Sequence, residues 1–490
     1  MILGVVPSAL PVPDLLSSRA ATEPDHEALV VAGQGAMTLR EWDERSTAAA
    51  RGLPGPLRGE RVALVFGGRD WLDYAVSWMA VLKAGGVAVP LPDRAAPPEQ
   101  AYMIEHCGAA AVVHGRDALR EPPPGPAVIA FEELLRRPGA PPALPPAIDP
   151  LSLAQILYTS GTTGRPKGVA ATHANLTFPP VHPKRRPFAH SRYLVHAFPI
   201  GTNAGQVMLL HALTTAPTVV TLPMFTPARF AALVETYAAG TCFVVPAMAI
   251  ELLNARVQDR HDLSSVLLLG SAAAALPPAV AAGLTVAFPN AAVANYYTST
   301  EAAPAQTIMI YDGDRPGSLG RAAGGSRLRI ADAEGNPVPE GTTGEVWLRA
   351  AAHPRAYYGE RDDAFQDGWV RMGDLGYLDD EGYLYLVDRD GDVIKSGAFK
   401  VSTLQVEAAL HEHPAVADAS VFGVAHPVMG MAVAAAVVAR EPLALSDVRS
   451  FLGGRLAGHE LPSKLLCLDS LPRNTAGKVI KRELRRLAEE

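Results

Sequence analysis

Short apolar, β-branched runs recur along the first 270 positions, and each leads into a stretch with helical periodicity. RVALVFGG at Arg61 to Gly68 is followed by WLDYAVSWMAVLKAGGVAVPL, which reads as strand, glycine turn, amphipathic helix and strand. The pattern returns at Ala109 to Gly115, near Thr218, near Thr241 and at Ser265 to Gly270. Parallel strands need a crossover connection and a helix is the usual one, so this alternation points to an α/β body of doubly wound sheets with helices.

After about Gly335 the texture changes. GTTGEVWLRA and GWVRMGDLGYLDDEGYLYLVDR carry short alternating strands broken by Asp-Gly and Glu-Gly turn signals, which predicts a β-rich subdomain. From Asp392 onward the chain reads as a small α+β unit. It has a helix from Thr403 to His411, strands in AVADASVFGV and MAVAAAVVA, and a closing basic helix. The proline-rich stretches EPPPGPAV and RRPGAPPALPPAIDP read as exposed connectors. His411 and His413 in HEH read as a solvated helix end rather than a metal site.

Composition limits the function classes. A chain of 490 residues exceeds one ordinary core, and 48% hydrophobic against 19% charged residues excludes intrinsic disorder. With 43 basic and 50 acidic side chains, the formal charge of -7 argues against a nucleic-acid-coating protein. Cys107, Cys242 and Cys467 are too scattered for a disulfide framework or a zinc site. The N-terminal MILGVVPSALPVPDLL lacks a basic region and makes a poor signal peptide, while the apolar run Met431 to Ala439 is about half the roughly 20 residues of a membrane span. A cytoplasmic protein, monomeric or homodimeric and without membrane or nucleic-acid partners, is expected.

The densest chemistry lies in LAQILYTSGTTGRPKGV, Leu153 to Val169. An apolar strand ends near Tyr158, and Thr159, Ser160, Gly161, Thr162, Thr163 and Gly164 then offer hydroxyls and unhindered backbone, with Lys167 as a cation. Such a loop suits a phosphate, although its spacing is not that of a Walker A loop.

This segment resembles the phosphate loop of the adenylate-forming superfamily of acyl-CoA synthetases, luciferases and adenylation domains. NYYTSTEAA at Asn295 to Ala303, the stretch from Gly368 to Lys395 and LPRNTAGKVIKREL resemble further motifs of that superfamily, in the same order. The resemblance implies ATP-dependent activation of a small-molecule carboxylic acid to an acyl-AMP with release of pyrophosphate. It implies Glu301 as the Mg²⁺ and phosphate ligand beside Thr300, Asp374 as a ribose contact, and Arg389 as a second contact to ribose or phosphate. Tyr297 would present an aromatic face to adenine, Thr298 would be a further nucleotide contact, and Gly270, Ser271, Ala272 and Ala273 would line the pocket on the other side. Lys478 would bridge the carboxylate and the α-phosphate as the catalytic lysine, with Lys167 and Glu301 beside it in the catalytic set. The superfamily's mobile C-terminal domain implies a division at 1–389 and 392–490, with Asp390 and Gly391 as hinge.

Two departures bear on the acceptor. FPIGTNAG places Gly201 and Thr202 where acyl-CoA synthetases carry a Phe-His pair, and IKSGAFKV places the pantetheine-facing glycine one position early, at Gly397. These departures favour transfer to an amine, with Asn203 orienting it, as in the superfamily's amide bond synthetases. A CoA thioester is the alternative. A carrier protein, another nitrogen nucleophile and a catalytically dead binding homologue stand behind both. The acid pocket is expected along Ile200, Gly201, Thr202, Asn203 and Ala204, along the segment after Val244, along Gly270 to Ala272, and at Asn295 and Tyr296. This small, neutral wall suits an aromatic or heteroaromatic acid, ahead of a fatty acid.

Overall fold

The computed structural model describes residues 10–489 except 56, 117, 120–123, 137–146, 160–164, 180–184, 361, 390 and 475. Much of the two proline-rich connectors therefore lies outside the described residues. The alternation appears as two sheets with helices packed on them. One has seven strands, in the order Ala356–Tyr357, Lys167–Thr172, Leu153–Thr159, Val87–Pro92, Arg61–Phe66, Ala111–His114, Ala127–Ala130. The other has nine, with Thr241–Val244, Leu268–Ser271 and Ala292–Tyr297 running parallel side by side.

The helix Trp71–Lys83 joins Arg61–Phe66 to Val87–Pro92. It is buried almost all round, and its core includes side chains of both sheets, such as Val62 and Leu64 of one and Leu29, Leu194 and Val219 of the other. A helix apolar on every face fits only between two layers. Two of its polar side chains find partners there: Trp78 Nε1 donates to Gln155 Oε1 at 2.9 Å, and Lys83 Nζ donates to Asp43 Oδ1 at 2.8 Å.

The body also buries imidazoles. His173 and His196 are 1% and 0% exposed, and each accepts a backbone N–H at Nδ1. Burial pushes His173 down to about 4 and His196 to about 3. Both pKa values are depressed in the fold, so the stability tied to the neutral rings is complete above the ordinary value near 6.5. It is lost as pH falls from there toward the folded values, at about 1.4 kcal/mol per ring per pH unit. The guanidinium midpoint is therefore expected to drop clearly between pH 7 and pH 5 in the wild type. That drop should shrink in a His173→Gln variant, and an equal drop in both would refute the role of this ring.

The strands Arg327–Ala331, Gly344–Arg349, Phe365–Gln366, Trp369–Leu378 and Leu384–Arg389 form the antiparallel, five-stranded sheet expected of the β-rich stretch. The C-terminal unit has its own sheet, in which Val416–His426 and Gly430–Ala439 pair over their length and Lys464–Cys467 adds a parallel strand. It packs on its own core, including Val406, Leu410, Val421 and Val448. Asp388, 1% exposed at the end of Leu384–Arg389, accepts from Thr403 N at 2.5 Å and Thr403 Oγ1 at 3.1 Å. A carboxylate thus seats the N-terminus of the helix Thr403–His411 against the last strand of the body. Asn254 adds a second tie, donating to the Ala417 carbonyl at 3.3 Å. Among the described residues no helix is long and apolar enough to cross a membrane.

Candidate active site

The strands Leu153–Thr159 and Lys167–Thr172 pair antiparallel with Thr159 opposite Lys167, so these two residues flank the hydroxyl- and glycine-rich loop. Ser160, Gly161, Thr162, Thr163 and Gly164 lie outside the described residues. Thr159 Oγ1 donates to Glu301 Oε1 at 3.3 Å, and the Tyr357 hydroxyl donates to the same oxygen at 3.2 Å. Lys167 Nζ lies 4.6 Å from the Tyr357 ring centre and 2.6 Å from Asp362 Oδ2, which it holds below the usual carboxylate range. Tyr357 and Asp362 belong to no segment that sequence reasoning singled out. They reach Lys167 because Ala356–Tyr357 pairs with Lys167–Thr172.

Asp374 and Arg389 face each other across neighbouring strands, and Arg389 Nε donates to Asp374 Oδ1 at 3.3 Å. The Tyr297 hydroxyl donates to Asp374 Oδ2 at 2.6 Å. Burial and then the Asp374 charge push the Tyr297 phenol well above its ordinary value, so it remains a donor. Lys478 enters from the C-terminal unit on a tight turn. Asn474 Oδ1 accepts from Lys478 N at 3.0 Å, and Gly477 has φ +81°. A Cβ on Gly477 would lie 3.2 Å from Val245 Cγ2, so the turn presses directly on the body. Burial lowers the Lys478 pKa and the Arg389 charge lowers it further, while Asp374 and Glu301 oppose them.

Lys478, Arg389, Asp374 and Tyr297 line one cleft of about 1190 Å³ between the body and the C-terminal unit, shared with Asn295, Tyr296 and Thr298. His411 also lines it, and burial lowers its pKa, so this ring is not the solvated helix end expected from HEH.

Several expected wall residues stand elsewhere. Gly270 and Ser271 are buried inside their strand, and a Cβ on Gly270 would come 2.4 Å from the Phe243 ring and 3.0 Å from the Tyr296 ring. This glycine makes room for an aromatic pair, and neither it, Ser271 nor Ala272 lines the cleft. The wall begins at Ala273, the last residue of the expected stretch, and continues through Ala274 and Ala275, with Ala273 in the left-handed region at φ +75°. Ile200 is core, 2% exposed. A Cβ on Gly201 would sit 2.9 Å from Pro92 Cα, so the backbone of a neighbouring strand occupies the space an aromatic side chain would need. Thr202 caps the helix Asn203–Thr214 by accepting from Gly205 N at 3.1 Å. Asn203 accepts from Arg355, and with Ala204 it stands outside the lining of this cleft. Thr300 turns its carbonyl to Arg355 Nη1 at 2.8 Å and also stays off the wall. Gly397 sits at φ +61° in the turn before Phe399–Val401, its N–H on the Met429 carbonyl, away from the cleft. Asp390 lies outside the described residues. Gly391 is not in the left-handed region and its missing Cβ would touch nothing, so this arrangement does not itself require glycine there.

Residues 16–358 match the model of the AMP-binding enzyme family, and residues 405–478 match that of the AMP-binding enzyme C-terminal domain. The chain belongs to the AMP-binding enzyme family. This AMP-binding enzyme is thus an adenylate-forming ligase, related to acyl- and aryl-CoA ligases. It is 31% identical to a feruloyl-CoA synthase of an Amycolatopsis species over 96% of this chain and 97% of the relative. Among solved structures it resembles the o-succinylbenzoate CoA synthetase of Bacillus subtilis in complex with its acyl-adenylate, at 25% identity and a TM-score of 0.83, covering 96% and 98% of the two chains. It also resembles the amide bond synthetase McbA of Marinactinospora thermotolerans at 26% identity and a TM-score of 0.82, covering 98% and 100%.

Proposed function

We propose that this enzyme uses ATP to activate an aromatic or heteroaromatic carboxylic acid as its acyl-AMP and then passes the acyl group to an amine. The observation that carries the adenylation half is the convergence of Lys478, Arg389 and Asp374 on one cleft, with Glu301 close enough to influence the Lys478 charge. The residues fit a nucleotide. Asp374 offers carboxylate oxygens to ribose hydroxyls, and Asn295, 7% exposed on the cleft wall, has an Oδ1 with no protein partner among the described residues, an acceptor suited to an exocyclic amine. Glu301 would hold Mg²⁺, which when bound neutralises charge on the phosphates. The acid end of the cleft has walls of alanine together with Tyr296, whose ring lies 5.5 Å from that of Phe243. Small side chains and an aromatic floor suit a flat acid, and no charged side chain there calls for an amino acid.

In the forward step the Lys478 ammonium lies between the two anions, lowering their repulsion as the carboxylate attacks the α-phosphate and pyrophosphate leaves in line. Arg389 and Asp374 hold the nucleotide while the bond forms. The close packing of Gly201 on Pro92 and the use of Thr202 as a helix cap support an acceptor channel built differently from one gated by an aromatic pair. A CoA thioester is the second reading, favoured by the 31% identity to a feruloyl-CoA synthase. Incubation with ATP, Mg²⁺, a panel of aromatic acids and either CoA or amines is expected to give amide faster than thioester. Thioester formed tenfold faster than any amide would overturn the amine reading, and the absence of acid-dependent pyrophosphate release would overturn the whole.

A further inference from the structure

Arg355 stands in HPRAYYG, a stretch without a recognisable motif, yet it is only 7% exposed. Its guanidinium spans three elements. Nε donates to Asn175 Oδ1 at 2.9 Å, and Nη1 donates to the Thr300 carbonyl at 2.8 Å and to Asn203 Oδ1 at 3.3 Å. Among the described residues it has no ion-pair partner, and the acid whose charge acts on it is Glu301. Taking an arginine out of water without an ion pair is costly, and its three hydrogen bonds offset only part of that cost. Burial pushes its pKa down to about 10.

Two of the three contacts serve one segment. Asn175, itself 2% exposed, donates from Nδ2 to the Ala303 carbonyl at 3.1 Å and to the His353 carbonyl at 2.8 Å. The Thr300–Ala303 segment is therefore tied at both ends, at the Thr300 carbonyl by Arg355 and at the Ala303 carbonyl by Asn175, which Arg355 also holds. Glu301 lies between the two ties. At Asn203 the guanidinium can only donate, so the atom facing it must be the amide oxygen, and the orientation of that amide is fixed.

We propose that Arg355 is a positioning residue for acyl-AMP formation, holding the Thr300–Ala303 segment so that Glu301 stands where its carboxylate can take the divalent metal of the nucleotide. The inference rests on the adenylation reading above, but its test does not depend on turnover. Mn²⁺ binding in the presence of a non-hydrolysable ATP analogue, read by electron paramagnetic resonance, is compared in the full chain and in Arg355→Met, Arg355→Gln and Arg355→Lys. Loss of a group that orients a metal ligand is expected to weaken Mn²⁺ binding about tenfold in Arg355→Met and Arg355→Gln, with Arg355→Lys recovering part of it. The Mg²⁺ concentration for half-maximal pyrophosphate exchange should rise in parallel, with the acid KM within about twofold of wild type. A folded Arg355→Met that binds Mn²⁺ as the wild type does overturns the proposal. If that variant does not fold, the same result in Arg355→Gln overturns it. A wild type that binds Mn²⁺ and nucleotide yet activates no acid refutes the proposed function instead and leaves this inference to the binding comparison.

Discussion

Lys478→Ala is expected to lower acid-dependent pyrophosphate exchange at least about a hundredfold while ATP affinity stays within about threefold of wild type. The turn that presents this lysine is built by Asn474 and Gly477, through backbone and Asn474 side-chain bonds that the substitution does not touch. The variant should therefore keep its fold. Arg389 and Asp374 remain to hold the nucleotide. What disappears is one cation, set in the cleft at the expense of its own hydration, and a preorganised charge of this kind typically contributes about 3 kcal/mol to the transition state. Near-normal exchange by the variant would remove Lys478 from the chemistry, and a matching loss of ATP affinity would make it a binding residue only.

Asp374→Ala should act on the other side of the split, raising the ATP KM by about a hundredfold with a smaller effect on the rate at saturation. Asp374 is 8% exposed and organises two neighbours, since both Tyr297 and Arg389 donate to its carboxylate. Hydrogen bonds to a buried charge are worth about 1.5–3 kcal/mol each, and the variant loses those to the ribose while leaving the Tyr297 hydroxyl without its partner. Asp374→Asn keeps acceptor and shape and should recover part of the loss. Unchanged KM in the alanine variant, measured by initial rates against ATP, would rule out nucleotide contact.

The readable parts of this protein were those in which neighbouring residues act together. Strand-then-helix alternation is a local pattern, and the two layered sheets follow from it. The loop at Thr159 to Lys167, the Asp374 strand and the Lys478 turn each resemble a superfamily motif within a dozen residues, so that resemblance named Asp374, Arg389 and Lys478 as site residues, and the fold brings those three to one cleft. The wall of the cleft was less legible. Gly270 and Gly201 look like pocket residues in the sequence because glycine permits close approach, but it does not say what approaches. At Gly270 two aromatic rings do, and at Gly201 the backbone of Val87–Pro92.

Arg355 and Tyr357 show the same limit from the other side. An arginine beside a proline and two tyrosines in a linking stretch reads as surface. Only the pairing of Ala356–Tyr357 with Lys167–Thr172 carries it inward to Asn175, Thr300 and Asn203, residues 180, 55 and 152 positions away. By itself the sequence determined the fold class and the superfamily, because both depend on short-range pattern, and it named the charged groups of the proposed adenylation chemistry only through their resemblance to the superfamily's motifs. The tertiary structure alone decided which small residues line the cleft, why an aromatic pair has no room at Gly201, and how Glu301 is held, because these depend on what long-range packing brings against a given atom.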